Sequence, residues 1–245
     1  MRKENAIKTI EYSIYALVVV IPLIYFPTGL YSFQIIKITF LQAIVEVIFA
    51  LWLALAIFYK DFRPKTTPLF WAMAIFMAVV SLASLLGVDF KISLWSNEQR
   101  ALGLVTLWHF AALFLVISSL RERINWHTVW LSTFTSSALV ALIGISQKFF
   151  ATGVRVNPFF GILYQKIPER VSSLFGNPAF MAGYLLFNFF IGLWLISEAV
   201  SERGAEGKDD PESGGIFQRR SVRISIFGVG TALMAIAIFL PVLSE

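Results

Sequence analysis

Cysteine is absent from the 245 residues, which excludes disulfide bonds, thiolate metal sites and cysteine nucleophiles. Charge is scarce too. Asp, Glu, Lys and Arg make up 14% of the chain, where a soluble domain carries about a quarter. Histidine occurs only at His109 and His127, in different segments, so no zinc-type ligand pair forms. No Gly-rich phosphate loop and no Ser-His-Asp pattern is present. Alternating ten-residue segments of the kind that build membrane barrels are missing as well.

Apolar residues fill the space instead. They make up 58% of the sequence, and the mean hydropathy is +0.75. They gather into blocks of about 20 residues, the length at which a helix crosses about 30 Å of hydrocarbon. Inside lipid the backbone must satisfy its own hydrogen bonds, so these blocks are expected to be helices. The spacing predicts seven of them, at 11–27, 36–58, 68–87, 102–120, 128–148, 179–197 and 224–243. The fold class is therefore an all-α, polytopic transmembrane bundle. Met1-Arg2-Lys3 before the first apolar run resembles a signal peptide, but no small-residue cleavage site follows, so the run reads as a first span.

The net charge of +5 and pI near 9.5 do not point to nucleic acid, because the cations are spread over loops. Thirteen of the 20 Lys and Arg residues fall in segments that share a side with the N-terminus, and seven on the other. The positive-inside bias then predicts a cytoplasmic N-terminus. Four of the seven outer cations, Lys148, Arg155, Lys166 and Arg170, cluster around the loop between spans five and six. Residues 201–222 are charged and Gly-rich, and read as a flexible cytoplasmic loop. The last span runs to Leu243-Ser244-Glu245 with no loop after it. Residues 1–245 are expected to form one transmembrane domain, which either stops as this helix emerges or is the N-terminal portion of a larger one.

The loop between spans five and six ends in Arg170-Val-Ser-Ser-Leu-Phe-Gly-Asn177-Pro178. Asn177 reads as a helix cap with Pro178 in the first helical position. The cap leaves the positive end of span six facing the loop, and a guanidinium brought beside it would suit a phosphate or pyrophosphate. A capped helix next to an interfacial arginine is an equally good reading of the local pattern. The outer segment before span four, Trp95-Ser-Asn-Glu98-Gln-Arg100-Ala-Leu-Gly103, suits the interface, a sugar or plain solvation. Within the bilayer, Glu46 is either protonated or partnered from another helix, since Lys37 lies about 14 Å away along its own helix. Glu46 could relay protons or simply link helices. His109 and Asn188 carry the same two readings, with interhelical packing favoured.

The two outer motifs together, Trp95 to Gly103 and Arg170 to Pro178, each opening a span, resemble the O-antigen ligase superfamily. That group includes polysaccharide polymerases and protein O-oligosaccharyltransferases, and the resemblance covers most of the chain. It implies a glycosyltransferase in the bacterial inner (cytoplasmic) membrane. The donor would be a polyprenyl-diphosphate-linked glycan at the periplasmic face, and the acceptor a glycolipid, glycan or protein. No metal or other cofactor, nucleotide sugar or nucleic acid is implied, and membrane lipids are the remaining partner. The acceptor hydroxyl would attack the anomeric carbon with inversion as the lipid diphosphate leaves. Arg170, and secondarily Arg100, would stabilise the charge growing on that diphosphate, with Asn177 shaping the site. The family's catalytic histidine lies in a later periplasmic segment and is matched by neither His109 nor His127. Two other functions remain open: a secondary transporter coupled to protons through Glu46, and a membrane subunit without catalysis.

Overall fold

The computed structural model describes residues 3–25, 33–97, 101–150, 171–201 and 220–239. The regular elements among them are helical. In chain order they are α1 (Lys3–Leu23), α2 (Phe33–Phe58), a 3₁₀ turn (Lys60–Phe62), α3 (Pro68–Leu86), α4 (Phe90–Trp95), α5 (Leu104–Leu120), α6 (Trp126–Phe150), α7 (Pro178–Ser201) and α8 (Arg220–Phe239). Among the described residues, six helices (all but α4 and α5) are long and apolar enough to cross a membrane. The protein is an all-α, multi-pass membrane protein. Its outward surface is that of a lipid-facing bundle: α3 buries Met77 and turns Trp71, Ile75, Val79 and Leu82 outward.

Local chemistry sets where these helices start. Thr67 accepts a hydrogen bond from the Phe70 amide (3.2 Å), with Pro68 in the first turn of α3. Asp89 caps α4 through the Ile92 amide (3.0 Å). Asn125 accepts from the Thr128 amide (3.2 Å) ahead of α6. The span expected at 102–120 is the 17-residue α5, about 25 Å long at 1.5 Å per residue. Its start is set by Gly103, which lies against the end of α4. A Cβ there would stand 2.6 Å from the carbonyl carbons of both Leu94 and Trp95. The first span also begins earlier than expected, at Lys3 instead of 11, with Lys3, Glu4 and Lys8 in its leading turns.

Two compact units divide the chain, Met1–Val129 and Trp130–Glu245. In the first, α1 packs on α2, α2 on α5, and α3 and α4 on α5. Its core gathers Ile10, Ile14, Ile48, Trp52, Val116 and Leu120 around the buried ring of Phe62. Phe62 organises one end of the unit. Lys3 Nζ lies 5.0 Å from the ring centroid and the Arg123 guanidinium 4.7 Å, while Trp52 Nε1 donates to the Phe62 carbonyl (3.1 Å). Arg63, Lys65 and Arg121 come to the same end through the chain segments that join these helices. In the second unit, α7 packs closely along α8. Gly192 makes that approach possible, since a Cβ there would overlap Thr231 of α8, and a Cβ on either Gly192 or Gly230 would meet Phe134 of α6 at 2.9 Å or less. The loop expected at 201–222 lies outside the described residues over 202–219. At its edges, helix persists through Ser201 and resumes at Arg220.

Candidate functional site

Span six begins as its sequence indicates. α7 starts at Pro178, the Asn177 side-chain oxygen accepts from the Ala179 amide (2.8 Å), and the Asn177 carbonyl accepts from Met181 N (3.2 Å). The cap satisfies one of the free amides of the first turn and leaves Asn177, Ala179 and Phe180 exposed.

The residues leading into this cap are not a surface loop. Val171, Ser172, Ser173 and Leu174 are all buried, at 2%, 8%, 4% and 3% exposure. They form a turn closed by Phe175 N on the Ser172 carbonyl (3.0 Å), with Ser173 at φ 49° and Gly176 at φ 67°. Buried non-helical backbone needs a partner for every amide and carbonyl. Gln147, on α6, supplies two of them. Its Oε1 accepts from Ser173 N (2.8 Å) and its Nε2 donates to Ser173 O (3.1 Å), so the side-chain amide pairs with one residue much as a neighbouring strand would. The Ser173 hydroxyl donates to the Val140 carbonyl (2.7 Å), two turns earlier on α6. Between those contacts sits Gly144, whose missing side chain leaves a notch. A Cβ there would be 3.3 Å from Met181 Sδ and 3.6 Å from both Ser173 Cβ and Val171 Cγ1. Three bonds to α6 hold Ser173 in a left-handed conformation that normally costs roughly 1–2 kcal/mol in a residue with a Cβ.

Arg170 and Arg100 lie outside the described residues, as do Glu98 and most of the cationic loop. Trp95 ends α4 with 59% exposure, and Ser96 follows at φ 65°. Asn177 is thus the candidate site residue whose geometry is described. Gln147 and Ser173 were not singled out from sequence. A glutamine close to the end of an apolar span, facing a Ser-Ser pair 25 and 26 residues later, was the available signal.

The polar groups in the spans divide differently. Glu46 finds its partner on another helix: Oε1 lies 3.2 Å from Nε2 of His109 on α5. One turn away, Gln42 Nε2 donates to Thr106 Oγ1 (3.0 Å), so α2 and α5 share a polar seam of two links. Lys37 donates to the carbonyls of Ile21 (3.0 Å) and Pro22 (2.8 Å), closing the C-terminal end of α1. Asn188 is buried, and among the described residues it makes no hydrogen bond to another helix. Its Nδ2 donates to Tyr184 O on its own helix (2.9 Å), and its buried Oδ1 has no hydrogen-bond partner among the described residues.

Apolar helices long enough to cross a membrane, with a buried turn ahead of the capped α7, define the class: a multi-pass membrane protein. No family model matches the chain, and no curated protein or solved structure shows a significant match to it.

Proposed function

We propose that the protein is a membrane glycosyltransferase of the O-antigen ligase type, taking a polyprenyl-diphosphate-linked glycan as donor at the periplasmic face of a bacterial inner membrane. The observation that carries this reading is the buried turn Val171–Leu174 ahead of the Asn177 cap of α7. Residues held this rigidly, ahead of an N-capped helix, suit the immobilisation of a charged ligand group next to them, because preorganised donors need no rearrangement as charge develops. On this reading Arg170, with Arg100 in a supporting role, neutralises the leaving diphosphate. Asn177 keeps the first turn of α7 oriented towards it. The acceptor hydroxyl bonds to the anomeric carbon, the bond from that carbon to the diphosphate oxygen breaks, and the hydroxyl proton leaves to a base.

The test is complementation of a surface-glycan defect with the wild-type gene and with Arg170→Ala, Arg100→Ala and Asn177→Ala. Arg170→Ala is expected to lower glycan transfer about a hundredfold or more, at unchanged membrane levels. Wild-type transfer by Arg170→Ala would overturn the site. Failure of the wild-type gene to restore any glycan, tested across ligase and polymerase defects, would overturn the reading as a whole.

A further inference from the structure

The side chains of Glu46 and His109 meet within the apolar lengths of α2 and α5. Glu46 stands nine residues after Lys37, which closes the end of α1, and twelve before Phe58, the end of α2. At 1.5 Å per residue it is about 14 Å from one level and about 18 Å from the other. An ionisable pair at that depth is costly to keep for packing alone. Gln42 and Thr106 already link the same two helices without charge.

Hydrogen-bond chemistry fixes the state of the imidazole. Nδ1 lies 2.7 Å from the Val105 carbonyl, and a carbonyl can only accept, so Nδ1 carries a hydrogen. Nε2 then faces Glu46 Oε1 at 3.2 Å in one of two ways. Either Nε2–H donates to a carboxylate, or a protonated carboxyl donates to a bare Nε2. Both arrangements hold one proton between the two atoms and leave the pair neutral. Removing that proton sets two acceptors against each other and leaves a net negative charge in hydrocarbon.

We infer that Glu46 and His109 form a proton-binding site within the membrane, one proton shared between Oε1 and Nε2. This is independent of the glycan-transfer reading. The His109 side chain is 17% exposed and that of Glu46 70% exposed, so the pair sits at the surface of the first unit, with His109 on its inner side. Among the described residues no group hydrogen-bonds to the second carboxylate oxygen, so His109 is the polar partner of the carboxyl group. On α1, which packs on α2, the titratable groups Lys3, Glu4, Lys8, Glu11, Tyr12 and Tyr15 lie in the first turns, towards the end of the unit organised by Phe62. Lys37 is on the α1 carbonyls, and Glu11 of α1 accepts from Tyr15 and from the Asn125 amide. The group on α5 that faces Glu46 is His109.

Infrared difference spectra of the intact protein in lipid nanodiscs, between mildly acidic and alkaline buffer, test this directly. The wild type is expected to show a difference band, from a carboxylic-acid carbonyl where the proton rests on Oε1 or from an imidazolium where it rests on Nε2, and Glu46→Gln to lack it. His109→Gln, which can hydrogen-bond but cannot hold the proton, is expected to shift both the frequency of the band and the pH at which it is lost. Glu46→Asp, which keeps the carboxyl but withdraws it by one methylene, should shift the band as well, and covers the case in which Glu46→Gln does not fold. Superimposable spectra for the wild type and a folded Glu46→Gln would overturn the site. A Glu46 band unmoved by both His109→Gln and Glu46→Asp would overturn the shared proton.

Discussion

Gln147 satisfies an amide and a carbonyl of the same residue, a task that needs a donor and an acceptor on one planar head group. Gln147→Leu fills the space and leaves both Ser173 groups buried without partners. The expected loss is about 1–3 kcal/mol for each group, read as a lower unfolding midpoint in detergent or nanodiscs. Gln147→Glu keeps the acceptor and removes the donor, so it should fall between Leu and the wild type if the carboxylate is tolerated. A wild-type midpoint for Gln147→Leu would mean that the turn is held by something other than this pair. The site was half legible in the sequence for the same physical reason. Asn177 and Pro178 announce a helix start because capping is local, decided within four residues. The pairing of Gln147 with Ser173 depends on a fold-back of 26 residues, and hydropathy treats Gln147 as an ordinary polar end to a span. Glu46 and His109 could have been joined by depth alone. Each lies seven to ten residues from the outer end of its expected span, and those spans run in the same direction.

Among the helices, the glycines of α7 and α8 do two different things. Gly192 and Gly230 sit where a Cβ would strike Phe134, whose ring is 4% exposed and packed edge-on against Phe227 at 5.6 Å. Gly183 and Gly228 have nothing within 4 Å of where a Cβ would stand. Alanine at 192 or 230 is therefore expected to overpack the helix contact and cost about 1–3 kcal/mol. Alanine at 183 or 228 should be neutral or gain up to about 1 kcal/mol from lower chain entropy in the unfolded state. Unfolding midpoints for the four single variants separate the cases, and equal effects would mean that the packing of α7 and α8 on Phe134 does not rest on close approach. Sequence patterning located these helices well, since twenty apolar residues in a row have few alternatives. It misjudged their ends where the helix continues into polar sequence, as α1 does over Lys3 to Ile10 and α7 does to Ser201. It passed over α4 altogether, because six residues are too few to show a period.

For the molecule as a whole, the distribution of cations carries a prediction about direction in the membrane. In the first unit, Lys3, Lys8, Lys60, Arg63, Lys65, Arg121 and Arg123 belong to the end organised by Phe62. The opposite end of the described unit has Lys37, drawn inward onto α1, and Lys91. Positively charged segments resist translocation, so the Phe62 end should face the cytoplasm and the turn between α3 and α4 the other side. The lack of cysteine makes this simple to examine, since every introduced thiol is the only one in the chain. Lys65 and Val88 flank α3 at its two ends, and both are exposed. With a membrane-impermeant maleimide on cells whose outer membrane has been made permeable, Val88→Cys is expected to label at once and Lys65→Cys only after the inner membrane is lysed. The reverse pattern would turn the protein over.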